Sequence, residues 1–219
     1  MKRRSFLLAG LVSIGAGVSA PAAAQSPGTH QHSFGDAEKW SHVFDDPARD
    51  TWQKPHEVIR ALALKPDAVV ADIGSGTGYF AARFANMVPR GRVYGVDTEP
   101  DMVKYLAARA KREGLKNVIA VSGKPDDPLL PERADLIVLV DVYHHVRDRE
   151  RYFRRLQSSL KPGGRLAIID FRMDSPQGPP QNARIAPGEV RAELTRAGYV
   201  LASDHAFLPN QYFLVFAVK

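Results

Sequence analysis

From residue 68 onward, short apolar runs alternate with longer segments of helical spacing, and this alternation restricts the fold more than any other feature of the sequence. Five of the runs are rich in Val, Ile and Leu: 68–73, 92–97, 117–122, 134–141 and 165–171. Continuous apolar runs of this length are typical of parallel strands covered by helices on both faces. The sequence therefore predicts an α/β fold with a doubly wound, mostly parallel sheet.

The segments between these runs complete the predicted architecture. Helices are predicted over 79–88, 101–114, 149–160 and 187–199, and a closing hairpin over 200–208 and 211–219. Upstream, the residues before 55 contain both tryptophans and predict short helices that are broken at Pro47 and Pro55. Pro55 can begin the next helix, because a proline in the first turn loses no needed N–H group.

The first 24 residues have the three parts of a secretory signal peptide, namely a basic start, an apolar middle and a small-residue end. The stretch Arg3-Arg4-Ser5-Phe6-Leu7 resembles a twin-arginine signal. We therefore predict the twin-arginine export machinery as a partner, a periplasmic or secreted location, and no stable membrane insertion after cleavage. An uncleaved anchor and a residual cytoplasmic pool remain alternatives. The predicted divisions are a signal peptide (1–24), a linker with amino-terminal lid helices (25–53) and one domain (54–219).

Charge and cysteine content exclude several classes of function. Without Lys2, Arg3 and Arg4, 27 basic residues remain against 24 acidic ones, a net charge of +3. A chain this close to neutral gives no support for nucleic-acid binding. The absence of cysteine excludes disulfides, thiolate metal sites and cysteine nucleophiles. No metal site is predicted.

The glycine-rich stretch Asp72-Ile73-Gly74-Ser75-Gly76-Thr77-Gly78 lies between the first predicted strand and the helix that follows it. It is either a tight connection or a turn that a ligand approaches closely. Its glycines do not match the dinucleotide spacing G-x-G-x-x-G, which disfavours a pyrophosphate ligand. Asp97 ends the second strand, where it can accept hydrogen bonds from ribose hydroxyls or cap a turn. Together these features favour a nucleoside ligand.

These residues give the sequence a resemblance to the class I S-adenosylmethionine-dependent methyltransferases over residues 54–219. VVADIGSGTGYFA resembles the first motif of that family and GVDTEPDMV the second; ADLIVLVDVYHHV and LKPGGRLAIIDF resemble its fourth and fifth strands. The resemblance implies a Rossmann-like, seven-stranded sheet of order 3-2-1-4-5-7-6 with an antiparallel last strand. It also implies S-adenosylmethionine as the cofactor.

Carried over position by position, the resemblance implies a set of cofactor-binding residues. They are Asp72, Gly74, Ser75, Gly76, Thr77, Gly78, Asp97, Thr98, Met102, Asp126 and Asp141. Asp72 would hold the amino group of the methionine part, and Asp97 the ribose hydroxyls. An acidic residue in the loop after the third strand would accept from the adenine amino group; Asp126 is our choice and Asp127 the alternative.

The stretch Asp141-Val142-Tyr143-His144-His145 follows the fourth strand, where the resemblance implies that the methyl group lies. Methyl transfer from a sulfonium requires a base only if the acceptor carries a proton. Either histidine is a candidate base, and Tyr143 is a further candidate catalytic residue. The alternative is that one histidine caps the next helix and the other packs beneath it.

Taken together, the sequence predicts an S-adenosylmethionine-dependent methyltransferase that acts on a small-molecule acceptor. Trp40, Phe44 and Trp52 either form a lid over the pocket or pack against outer helices. The alternative function is an exported, non-catalytic module of the same fold that binds a nucleoside-like ligand or a protein partner. Arsenite methylation is disfavoured, because the resemblance implies that such enzymes rely on cysteines.

Overall fold

The computed structural model describes residues 34–219, so the predicted signal peptide and the start of the linker lie outside the described residues. The helices of this part are α1 (Ala37–Phe44), α2 (Arg49–Gln53), α3 (Pro55–Ala61), α4 (Tyr79–Met87), α5 (Pro100–Arg112), α6 (Arg149–Leu156) and α7 (Pro187–Arg196). The strands are β1 (Val69–Ile73), β2 (Arg92–Asp97), β3 (Val118–Ser122), β4 (Ala134–Val140), β5 (Leu160–Phe171), β6 (Tyr199–His205) and β7 (Gln211–Val218). None of the helices in this part is long and apolar enough to cross a bilayer.

All seven strands of the described chain form one sheet of order β3-β2-β1-β4-β5-β7-β6. The first five pair in parallel, whereas β7 runs antiparallel to both β5 and β6. The predicted fold class, strand order and closing hairpin are therefore confirmed. In such a sheet the carboxyl ends of the parallel strands meet at one edge, where ligands bind.

Both faces of the sheet are buried, because side chains alternate along each strand. On one face, residues such as Val69 and Ala71 pack with α6 and α7. On the other face, residues such as Val70 pack with α3, α4 and α5. This double coverage explains why the strands read as continuous apolar runs.

The main departure from the predicted elements lies at the start of β5. The predicted helix over 149–160 ends at Leu156, and β5 begins at Leu160, ahead of the predicted strand. Leu160 pairs with Ala134 of β4 before a shift in register, which draws the Pro-Gly-Gly segment into the strand. The other helix ends differ from the prediction by one to three residues, within ordinary fraying.

Candidate active site

The glycine loop between β1 and α4 is built so tightly that it excludes side chains. Gly74 has a φ of +71°, and a Cβ on it would lie 2.4 Å from Cγ2 of Val142. The backbone N–H groups of Gly74 and Ser75 donate to the carbonyl of Val96, at 2.8 and 3.0 Å. The loop is thereby tied to the end of β2, where Asp97 lies.

Asp97 holds two turns of backbone at once. Its Oδ2 accepts from the N–H of Gly76 at 2.9 Å, and its Oδ1 accepts from the N–H of Glu99 at 3.0 Å. Burial raises its pKa, although hydrogen bonds from the backbone oppose the rise. The structure therefore brings Asp97 to the glycine loop as the sequence predicted, and it also gives Asp97 the turn-capping contact.

Three buried polar atoms of the loop region lack a hydrogen-bond partner among the described residues: Asp72 Oδ2, Ser75 Oγ and Thr77 Oγ1. Burial, with a contribution from the Asp97 carboxylate, raises the pKa of Asp72 to about 7. Leaving such a group unpaired costs roughly 1–3 kcal/mol. A ligand that offers an ammonium group to Asp72 and polar groups to the two hydroxyls would satisfy them, and S-adenosylmethionine has this chemistry.

The structure does not bring all predicted cofactor residues to this loop. Thr98 is exposed and Met102 is buried on the inner side of α5. The carboxylate of Asp126 lies on an exposed turn, 3.7 Å from the guanidinium of Arg155 on α6. The predicted adenine contact of Asp126 therefore has no counterpart in the described contacts and stays a prediction.

Asp141 is joined to the amino-terminal helices rather than to the glycine loop. Its Oδ2 accepts from Nε2 of Gln53 at 2.9 Å, its Oδ1 accepts from Nε2 of Gln211, and Arg49 lies 3.9 Å away. Burial, with a contribution from Asp170, raises the pKa of Asp141 to about 6. Sequence reasoning missed Gln53 and Gln211, since nothing in their local sequence marks them.

His144 forms a buried pair with Asp170, the penultimate residue of β5. Its Nδ1 lies 2.9 Å from both carboxylate oxygens, and its backbone N–H donates to Oδ2 at 3.2 Å. Burial of the ring opposes protonation, but the carboxylate raises the pKa of His144 overall. With its proton fixed on Nδ1, the neutral ring keeps a lone pair on Nε2, as a general base requires. Asp170 was also missed, although an acid that ends an apolar strand is a usable signal.

Tyr143 lies apart from this pair, in the interior of the α6 and α7 layer. Its hydroxyl donates to Glu193 at 2.6 Å, and the same carboxylate accepts from Arg149 at 2.7 Å. Its ring stacks on Phe153 with 5.1 Å between centroids. Burial and the hydrogen bond to Glu193 raise its pKa. These contacts indicate a packing role, so the geometry gives no support to Tyr143 as a catalytic residue.

His145 borders an aromatic cluster that the amino-terminal segment contributes. The ring of Phe34 lies 5.8 Å from His145 and 5.0 Å from Trp40, which stacks on Phe44 at 5.4 Å. A Cβ on Gly76 would lie 3.3 Å from the Phe44 ring. The cluster therefore covers the glycine loop. Trp52 packs elsewhere, 6.0 Å from Phe171.

Ion pairs join the α1–α2 segment to helices α4 and α5. Arg109 on α5 donates to Asp45 at 2.7 Å and to the carbonyl of Thr77 at 3.2 Å. Arg83 on α4 donates to Asp50 at 2.9 Å. Across residues 34–219 no group of three or more His, Asp or Glu side chains is arranged to hold a metal ion.

Comparison with known proteins identifies the family. Residues 64–202 match a methyltransferase domain family. The chain belongs to this family. It is 29% identical over 123 residues to the ubiquinone/menaquinone biosynthesis C-methyltransferase UbiE of Shewanella frigidimarina (strain NCIMB 400), covering 55% of the chain and 48% of that protein. It is 31% identical over 137 residues to a protein-L-isoaspartate O-methyltransferase of Pyrococcus horikoshii, covering 59% of each. The chain thus spans about half to three-fifths of the length of these relatives.

Solved structures agree with this assignment. A SAM-dependent methyltransferase from Aquifex aeolicus is 26% identical with a TM-score of 0.77, covering 84% of the chain and 99% of that protein. Magnesium protoporphyrin IX methyltransferase from Synechocystis PCC 6803, solved with bound SAM, shares the fold at 17% identity with a TM-score of 0.60, covering 87% of each chain. The predicted enzyme class and the predicted cofactor, S-adenosylmethionine, are confirmed for this family.

Proposed function

We propose that this chain transfers the methyl group of S-adenosylmethionine to a small-molecule acceptor. The observation that supports this most directly is the glycine loop, where a buried carboxylate and two buried hydroxyls lack partners beside Asp97. In a chain that had lost its ligand, we would expect apolar side chains at these positions, because unpaired buried polar groups are costly.

When bound, S-adenosylmethionine would supply a methyl group on a sulfonium, from which the neutral thioether leaves without help from an acid. The residues of the chain bind the cofactor, align the acceptor and exclude water. Asp72 binds the amino group, and Asp97 binds the ribose while it holds the loop. For an acceptor that carries a hydroxyl or amine, His144 takes up the proton at Nε2 while Asp170 orients the ring.

A small acceptor is favoured by what surrounds the site. The carboxyl edge of the sheet is bordered by the α1–α2 segment and by the Pro/Gly-rich loop 172–186. The relatives are named as a C-methyltransferase of ubiquinone/menaquinone biosynthesis, a protein-L-isoaspartate O-methyltransferase and an arsenite methyltransferase. Arsenite is the least suitable of these for this chain, which has no cysteine.

Calorimetric titration of the full chain with S-adenosylhomocysteine tests the proposal. We expect one molecule of S-adenosylhomocysteine to bind per chain. Asp97→Ala should lose this binding. Asp67→Asn, which changes an exposed carboxylate ahead of β1, should keep it. Transfer of labelled methyl groups from S-adenosylmethionine to a small-molecule extract of the host then identifies the acceptor. If the chain did not bind S-adenosylhomocysteine, the alternative function, a non-catalytic module of the same fold, would take the place of this proposal.

We also propose export through the twin-arginine pathway, supported by the Arg3-Arg4-Ser5-Phe6-Leu7 stretch. This pathway carries folded proteins, which would allow the chain to leave with its cofactor bound. Replacing both arginines with lysine should keep the chain unprocessed in the cytoplasm, whereas Lys2→Arg should leave export unchanged. Equal periplasmic fractions for wild type and the double variant would contradict the proposal.

A further inference from the structure

The buried polar atoms that lack a partner fall into two places in the described part of the chain. Three of them belong to the glycine loop. The other two are the hydroxyl of Tyr212 and Nε of Arg191. Tyr212 is only 6% exposed, so water does not readily replace the missing partner. The side chain of Arg191 is 43% exposed, so the cost of a missing partner falls on the Tyr212 hydroxyl, and this buried donor points to a ligand.

Both atoms belong to residues that line one cavity of about 330 Å³, which we call the hairpin cavity. It lies between the start of the loop after β5, the first turns of α7 and the turn that joins β6 to β7. Met173, Pro187 and Leu208 give it apolar walls. Its size is at the lower end of the range for small-molecule sites.

The hairpin cavity is a near neighbour of the candidate catalytic pair. Tyr212 is the partner of Asp170 in the β5–β7 ladder, so the two side chains share a face of the sheet. Gln211, which also lines the cavity, donates to Asp141 at the end of β4. The hairpin cavity therefore borders the carboxyl edge of the sheet, where two of its lining residues adjoin the carboxylates of Asp170 and Asp141.

The charges around the hairpin cavity compensate one another. Arg172 donates to Asp174 at 3.1 Å, and Arg191 donates through its terminal nitrogen to Asp204. All four residues line the cavity. An anionic ligand would have to compete with these carboxylates, so the lining suits an uncharged ligand whose oxygen accepts from the two unpaired donors.

We propose that the hairpin cavity binds the methyl acceptor, a small, uncharged and largely apolar molecule with a carbonyl or phenol oxygen. This oxygen accepts from the Tyr212 hydroxyl and from Nε of Arg191. That the ligand is the methyl acceptor rests on the proposed methyltransferase function. That the cavity binds a ligand at all rests on its lining and on the unpaired donors, independently of that function.

Ligand-observed ¹⁹F NMR on the full chain tests the proposal with four probes. 4-Fluorophenol and 4′-fluoroacetophenone carry the oxygen, 4-fluorotoluene lacks it, and 4-fluorobenzoate carries a negative charge. Tyr212→Phe removes only the hydroxyl, which has no protein partner to lose, so the variant should melt no lower than wild type. Tyr199→Phe is the matched control, since its buried hydroxyl donates to the carbonyl of Phe153 at 2.9 Å, away from the cavity.

We expect the two oxygenated probes to bind wild type and Tyr199→Phe equally, and to bind Tyr212→Phe about tenfold more weakly. 4-Fluorotoluene should not distinguish Tyr212→Phe from wild type. Equal binding of the oxygenated probes to both, no binding of them, or preferred binding of 4-fluorobenzoate would overturn the proposal.

Titration of the same samples with S-adenosylhomocysteine separates the two proposals. If S-adenosylhomocysteine binds and the oxygenated probes do not, the hairpin cavity is refuted and the methyltransferase function stands. If the probes bind with the expected pattern and S-adenosylhomocysteine does not, the cavity is supported as a ligand site but refuted as the site of a methyl acceptor.

Discussion

Replacing Asp72 with asparagine should change stability and cofactor affinity in opposite directions. The side chain is buried on the face of the sheet that α4 covers, and it accepts a hydrogen bond from the backbone of Ala81. Asparagine has nearly the same shape and can keep that hydrogen bond through Oδ1. The substitution therefore removes the charge while leaving the packing of the glycine loop almost unchanged.

The stability effect follows from the pKa. Burial raises the pKa of Asp72 from an ordinary 3.8 to about 7, so between these values the folded chain binds a proton that the unfolded chain has released. The free energy of unfolding must then fall as pH rises through this window. At about 1.4 kcal/mol per pKa unit, the fall amounts to about 4 kcal/mol between pH 4 and pH 8.

Urea denaturation of the cofactor-free protein at several pH values measures this effect. The wild-type free energy of unfolding should fall by about 4 kcal/mol more than that of Asp72→Asn between pH 4 and pH 8. Asp67→Asn, an exposed change of the same chemistry, should follow wild type. An equally steep fall in Asp72→Asn would show that another group is responsible.

Asp72→Asn should lower the affinity for S-adenosylhomocysteine, although it raises stability at pH 8. A charge-assisted hydrogen bond contributes roughly 1.5–3 kcal/mol, so Asp72→Asn should weaken S-adenosylhomocysteine binding by about 10- to 100-fold. Because the ligand ammonium favours the ionised carboxylate, wild-type affinity should rise between pH 6 and pH 8 and the variant should lack this rise. A variant that is less stable than wild type at pH 8, or that binds equally well, would refute the reasoning.

Other substitutions test the rest of the site. Asp97→Asn should weaken S-adenosylhomocysteine binding at least tenfold by calorimetry, because the carboxylate holds the glycine loop and, in the proposed function, also receives the ribose. Gly74→Ala should lower the free energy of unfolding by about 3 kcal/mol, against about 1 kcal/mol for Gly163→Ala. Both glycines have φ above +70°, but only at Gly74 would a Cβ meet another atom within 4 Å; equal losses in urea would refute this contrast. Asp170→Asn should lower the pKa of His144 in an NMR titration of the imidazole, and an unchanged midpoint would contradict the buried pair.

The sheet was predictable because its signals are local. Each strand of the parallel part contains an apolar run of a few residues, and the first strand, Val69–Ile73, is buried at every position. The order of the strands was not available from periodicity and came from the resemblance. The early start of β5 was missed, since it depends on the pairing of Leu160 with Ala134 across a shift in register.

The position of the glycine loop was predictable for the same reason, whereas the contacts that sequence reasoning missed join residues far apart along the chain. Gln53 reaches Asp141 from 88 positions away. No spacing rule within a window of helix or strand length can reveal such a contact.

The two groups of unpaired polar atoms illustrate this limit. Asp72, Ser75 and Thr77 lie within six consecutive residues, so one motif contains the whole group and the sequence identifies it. Tyr212 and Arg191 are brought to one cavity only by the packing of α7 beside the β6–β7 hairpin. Neither residue is unusual where it stands, because tyrosine suits a strand and arginine suits a helix. What makes them a candidate site is that the Tyr212 hydroxyl and Nε of Arg191 lack partners, and this property exists only once the chain has folded.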